Sequence, residues 1–221
     1  MARRYHLGMA MPSFLIDQLS RPKGRFAPIT AMLLNGVNAR TILGGISALD
    51  LRPGQRVVEV GFGGGLSIPL LLRAVTKLGH VFALETSDEM LARAKRRFIV
   101  PRLQGRLRVE KAYVESLPLG DASYDAVMSL NTIPFWTDVD DAMRELARVL
   151  VPGGRLVVGI ADPDELTRAG FAAQGHRIVV PEKLGELLPR YGLEMLEIRR
   201  TAHETALLVA RRLDEGWGDE L

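Results

Sequence analysis

Val57-Val58-Glu59-Val60-Gly61-Phe62-Gly63-Gly64-Gly65 runs from a β-branched strand into a loop with glycine at alternate positions, and a helical stretch opens at Leu66. Glycine lets the backbone turn sharply and approach a ligand closely. The helix that follows presents free N–H groups and the positive end of its dipole. A ligand seated at this turn carries a carboxylate or a phosphate.

On either side of that loop, from Arg56 onward, short β-branched runs alternate with longer amphipathic stretches, the pattern of βαβ units around a parallel sheet. Strands are predicted at Arg56–Val60, His80–Glu85, Leu107–Lys111, Tyr124–Leu130, Gly154–Ile160, Glu194–Arg199 and Glu204–Ala210. Arg200 to His203 leave no room for a crossover helix, so the last two strands are expected to pair antiparallel. Helices are predicted at Leu66–Thr76, Ser87–Phe98, Val139–Val149 and about Glu182–Leu188. Ser87 is the expected cap of the second and Asp138 or one of its neighbours that of the third, and Pro152-Gly153-Gly154 the turn into the fifth strand. The fold class is therefore α/β: a Rossmann-like, seven-stranded, mostly parallel sheet with an antiparallel last strand and helices on both faces. Residues 1–52 fall outside the alternation and are expected to form an N-terminal helical cap over one compact domain, 53–221.

The 221 residues are 47% hydrophobic, enough to bury the core of a single domain. There is no cysteine, which excludes disulfides, thiolate metal sites and cysteine nucleophiles. The net charge of +3 is too small to imply nucleic acid by itself. Met1 to Ala10 lack the apolar run of a signal peptide, and no stretch approaches the roughly 20 apolar residues of a membrane span. A soluble protein, cytoplasmic and away from membranes, is the expectation.

Glu85 closes the second predicted strand, the position from which a carboxylate accepts hydrogen bonds from both ribose hydroxyls of a nucleoside. Dinucleotide folds seat a pyrophosphate with G-x-G-x-x-G, whereas this chain has an acidic residue followed by G-x-G-x-G. Glu59-Val60-Gly61-Phe62-Gly63-Gly64-Gly65 resembles the first motif of class I S-adenosylmethionine-dependent methyltransferases, of the small-molecule, type 11-like kind. The resemblance continues through Glu85, Leu117-Pro118-Leu119, Ser123-Tyr124-Asp125 and Glu145 to Leu156 with its Arg148-Val149-Leu150-Val151-Pro152-Gly153-Gly154, and so covers about residues 50 to 160.

The resemblance implies S-adenosylmethionine as cofactor and S-adenosylhomocysteine as product. By position, Glu59, Gly61, Phe62, Gly63 and Gly65 would line its methionine end, Glu85 its ribose, and Thr86, Met90 and the backbone N–H of Val114 its adenine. Tyr113 stands where related enzymes often carry an aspartate, so it would stack on the adenine or donate to it instead. Asn131, Phe135 and Trp136 follow the fourth strand, at the carboxyl end of the sheet where ligands of open α/β folds collect, Asn131 as a further cofactor-binding candidate and Phe135 and Trp136 as candidates for the substrate pocket. Phe135 and Trp136 read either as an apolar wall beside the transferring methyl group or as packing beneath the next helix.

Methyl transfer from a sulfonium is an in-line displacement, in which positioning and desolvation supply much of the acceleration. A base is needed for a hydroxyl or activated carbon acceptor, and less so for an amine that binds already neutral. Among His6, His80, His176 and His203, the best-placed candidate is His176, with Tyr113 the other catalytic candidate. Arg25, in the basic loop Arg21 to Arg25, is the cap's candidate for the substrate pocket, with a dimer contact as another reading. No His, Asp or Glu pattern has metal-ligand spacing, so no metal is expected. A small-molecule acceptor is expected, with a nicotinamide-dependent oxidoreductase and a nucleic-acid methyltransferase as the alternatives.

Overall fold

The computed structural model describes residues 39–201 and 205–214. A helix, α1, covers 39–49. It is followed by β1 (Arg56–Val60), α2 (Ser67–Ala74), β2 (His80–Glu85), α3 (Asp88–Arg97), α4 (Ile99–Leu103), β3 (Leu107–Lys111) and β4 (Tyr124–Leu130). A 3-10 turn at Ile133–Phe135 leads into α5 (Val139–Arg148) and β5 (Leu150–Ile160). Beyond it lie α6 (Pro163–Arg168), α7 (Pro181–Leu187), β6 (Leu193–Arg200) and β7 (Ala206–Arg212).

One seven-stranded sheet results, in the order β3-β2-β1-β4-β5-β7-β6. Neighbours from β3 through β5 pair parallel, while β7 runs antiparallel to both β5 and β6, so it alone opposes the other six. The strands separate two cores by their side-chain period of two. Val58, Val60, Val127, Leu156, Val158 and Leu208 pack with Met143 and Leu146 of α5 and Leu184 of α7. Val57, Ala126, Met128, Val157 and Val209 pack on the other face with Ile68 and Leu71 of α2, Met90 and Leu91 of α3, and Ala48 and Leu49 of α1.

The helix starts follow local chemistry. The Ser87 hydroxyl accepts from Met90 N at 3.4 Å ahead of α3, whose first turn carries Asp88 and Glu89 and whose last carries Lys95, Arg96 and Arg97, matched to the helix dipole. The Asp138 carboxylate accepts from Asp141 N at 3.0 Å ahead of α5.

Three features depart from the sequence expectation. Pro152-Gly153-Gly154 is a bulge inside β5 rather than a turn before it: the register steps from Tyr124 opposite Leu150 to Ala126 opposite Arg155, and Gly153 takes φ +75°. Strand β7 lies toward the C-terminus of the predicted run, because its pairing with β5 starts at Ala206 opposite Ile160. Helices α4 and α6 were not expected; neither buries a residue, so neither shows an amphipathic stripe.

No helix among the described residues is long and apolar enough to cross a membrane. Of the residues expected to form the cap, those before 39 lie outside the described residues, and with them Arg25 and His6; His203 does too.

Candidate active site

The loop after β1 is left-handed at each of its alternate glycines, with φ +79° at Gly61, +50° at Gly63 and +72° at Gly65. Residues with a Cβ rarely adopt this conformation. Space excludes a side chain at Gly61 as well, since a Cβ there would stand 2.4 Å from Thr132 Cγ2. Gly61 N donates to the Leu84 carbonyl at 2.8 Å, and Gly65 N closes the turn on the Phe62 carbonyl at 2.9 Å, with the Phe62 ring buried beneath.

Glu85, at the carboxyl end of the neighbouring strand, is locked to that loop. Its Oε2 accepts from Gly63 N at 2.9 Å, and its Oε1 accepts from Thr86 N at 2.7 Å, Thr86 Oγ1 at 3.3 Å and Ser87 N at 3.2 Å. Those donors hold the carboxylate in one orientation without engaging every lone pair of Oε2.

Glu59, the acidic residue ahead of the loop, is 4% exposed. Burial pushes its carboxyl up to about 7, countered in part by the nearby Ser67 hydroxyl and reinforced by the charge of Glu85. Among the described residues neither Glu59 Oε2 nor Ser67 Oγ has a partner in full hydrogen-bond geometry. An orphaned buried carboxylate oxygen carries a desolvation cost that a cationic ligand group relieves.

Opposite the glycine loop lies the segment after β4. Asn131 is left-handed at φ +57°, a conformation asparagine tolerates better than most, and its N–H donates to the Gly159 carbonyl at 2.9 Å. A hydroxyl relay then ties this segment to β1. Trp136 Nε1 donates to Thr132 Oγ1 at 3.0 Å, Thr132 and Ser129 share a bond of 2.6 Å, and Ser129 Oγ donates to the Val60 carbonyl at 2.9 Å. Ser129 and Thr132 escaped the sequence reading because small hydroxyl residues carry no local signal of such long-range bonds.

The remaining expected residues surround these two loops. Thr86 is half-buried at the foot of α3, and Met90 is fully buried beneath that helix. Ala112 N donates to the Glu85 carbonyl at 3.2 Å, which sets the next residue, Tyr113, near the end of β2. Tyr113 is 49% exposed, while Val114 is buried behind it. Trp136 is buried with its N–H engaged on Thr132, whereas Phe135 stays half-buried. The Phe135 ring packs against His176 at 5.4 Å and Phe171 at 6.1 Å. Among the described residues no group of three or more His, Cys, Asp or Glu is arranged to hold a metal ion.

A parallel sheet in this order with a reversed seventh strand, opening at β1 into a left-handed glycine loop against an acidic β2 terminus, defines a class I S-adenosylmethionine-dependent methyltransferase domain. Residues 58–158 match the family described as a methyltransferase domain. The chain is 37% identical over 123 residues to an uncharacterised 37.1 kDa protein in transposon Tn4556 of Streptomyces fradiae, a match covering 55% of this chain and 34% of that one. It is 33% identical over 146 residues to the ubiquinone/menaquinone biosynthesis C-methyltransferase UbiE of Vibrio vulnificus, covering 65% and 55%. In fold it is similar to the Haloferax volcanii chain in complex with the Trm112 methyltransferase activator, with a TM-score of 0.75, 19% identity and coverage of 86% and 96%. The chain spans between 34% and 59% of the length of the first curated relatives it matches.

Proposed function

We propose that the chain binds S-adenosylmethionine at the Gly61–Gly65 loop and transfers its methyl group to a small-molecule acceptor. The observation that carries this reading is the pair of buried carboxylates flanking a left-handed glycine loop with no room for a Cβ at Gly61: Glu85 oriented by three backbone N–H groups and Glu59 with an orphaned oxygen. This donor set fits the proposed cofactor better than a dinucleotide. Glu85 Oε2 has acceptor capacity left for ribose hydroxyls, and Glu59 offers a negative partner to an α-ammonium group, where a pyrophosphate would be repelled.

When bound, the cofactor supplies a methyl group already activated on a sulfonium. The chain's own part is to bind, orient and exclude water. Glu85 holds the sugar, Glu59 and the loop hold the amino-acid end, and Thr86, Met90, Tyr113 and Val114 border the base. The segment from Asn131 to Trp136, fixed by its hydroxyl relay, bounds the space in which the acceptor meets the methyl group.

Calorimetric titration with S-adenosylmethionine, S-adenosylhomocysteine and NADH in parallel tests the reading. Micromolar binding of the first two without the third is the expected result. Binding of NADH alone would replace the assignment with a nicotinamide enzyme.

A further inference from the structure

His176 is tied to the segment after β4 in a way the binding reading does not use. Its Nδ1 lies 3.2 Å from the Pro134 carbonyl oxygen. A carbonyl only accepts, so the hydrogen of the neutral ring sits on Nδ1 and Nε2 keeps its lone pair. Two further bonds hold the same stretch in place. Arg177 N donates to the Pro134 carbonyl at 3.4 Å, and the Arg177 guanidinium donates to the Thr137 carbonyl. The imidazole also stands edge-on to Phe135, at 5.4 Å and 82°, and tilted against Phe171, at 5.4 Å and 53°. Among the described residues Nε2 makes no hydrogen bond, although the ring is half-buried. Pro134 follows Thr132, whose methyl group touches Gly61, so this imidazole belongs to the same end of the sheet as the glycine loop.

Resting on the cofactor reading above, we infer that His176 Nε2 is the base that takes the proton from the acceptor, and that the acceptor is a planar phenol or enol held against Phe135, the half-buried ring beside it, with the buried Phe171 ring backing the imidazole. A base with one fixed tautomer beside two aromatic rings suits a flat acceptor whose hydroxyl is a poor nucleophile until deprotonated. The hydroxyl proton passes to Nε2, and an oxygen lone pair forms the new O–CH3 bond. The S–CH3 bond of bound S-adenosylmethionine breaks and its electron pair stays on sulfur. The products are the methyl ether and S-adenosylhomocysteine, and the imidazolium returns its proton to water.

The test uses 4-nitrophenol added to the full chain saturated with S-adenosylhomocysteine, at a pH where the free phenol is colourless. The wild type is expected to show the phenolate absorption band. His176→Asn retains a side-chain N–H in place of Nδ1 and removes Nε2; it is expected to lose the band while its affinity for S-adenosylhomocysteine stays within about twofold. Phe135→Leu is expected to keep the band at saturation but to need several-fold more phenol. Absence of the band in a wild type that binds S-adenosylhomocysteine, or its persistence in His176→Asn, overturns the inference and leaves the cofactor reading standing. Failure of S-adenosylhomocysteine to bind removes both.

Discussion

Glu85 and Glu59 share one loop and one sign of charge, and burial gives them different tasks. Glu85 satisfies Gly63, Thr86 and Ser87 N–H groups and stands ready to accept more. Glu85→Ala is expected to weaken S-adenosylmethionine binding more than tenfold, since hydrogen bonds to a charged group contribute about 1.5–3 kcal/mol. Calorimetry on the variant checks this, and an unchanged Kd would take Glu85 out of the ribose site.

Glu59, pushed up to about 7 from an ordinary 4.5, makes stability pH-dependent. Between those values the folded chain holds a proton that the unfolded chain has released. The stabilising contribution is therefore complete below about 4.5, declines as pH rises and is gone above about 7, a change of roughly 3 kcal/mol. Urea unfolding of wild type and Glu59→Gln should show the variant gaining on the wild type between about pH 5 and about pH 8. An ammonium group bound beside Glu59 would favour its ionised form. Affinity for S-adenosylhomocysteine should accordingly rise through about pH 7 more steeply in the wild type than in Glu59→Gln.

At the scale of elements, two motifs that stand about 30 residues apart in sequence turn out to be one clamp. Arg148, at the end of α5, donates to Glu145 through Nε at 2.6 Å and Nη2 at 2.8 Å, and to the carbonyls of Leu119 at 2.9 Å and Leu117 at 3.2 Å. Glu145 in turn accepts from Leu117 N at 2.7 Å, and the Arg148 guanidinium holds its carboxyl below the usual range. The clamp fixes the Leu117-Pro118-Leu119 turn behind Val114 against α5. Arg148→Met should leave those carbonyls without their donor and Glu145 with the Leu117 N–H alone, and lower the unfolding free energy by about 1.5–3 kcal/mol. Because Glu145 is held low, the deficit should shrink as pH falls through its folded pKa. Chemical denaturation at two pH values measures both effects, and a deficit independent of pH would mean the ion pair contributes little.

Over the whole molecule, ligand binding and folding are linked, since the glycine loop, Glu85 and the Asn131–Trp136 segment come together only in the folded chain. S-Adenosylhomocysteine at about 100 times its Kd should stabilise by about 2.7 kcal/mol and raise Tm by roughly 5–10 °C for a chain of this size. Scanning calorimetry with S-adenosylhomocysteine and with NADH provides the check; equal shifts from both would contradict the assignment.

Strands β1 to β4 occupy the residues that their hydrophobic runs marked, and the glycine loop and Glu85 stand at the expected ends of β1 and β2. These features follow from local chemistry: β-branched runs, glycine where φ must be positive, and the capping Ser87 and Asp138 before α3 and α5. The bulge in β5, the start of β7, the relay from Trp136 through Thr132 and Ser129 to Val60, the Arg148 clamp and the Pro134–His176 bond follow from partners distant in the chain. A periodic pattern records which face of an element is buried and leaves out which hydrogen-bonding groups will meet across the fold. The sequence by itself determined a class I methyltransferase sheet with its glycine loop. Only the tertiary structure decided which oxygens of Glu59 and Glu85 remain available, and which nitrogen of His176 carries the hydrogen, because each depends on donors and acceptors that folding alone brings within 3.5 Å.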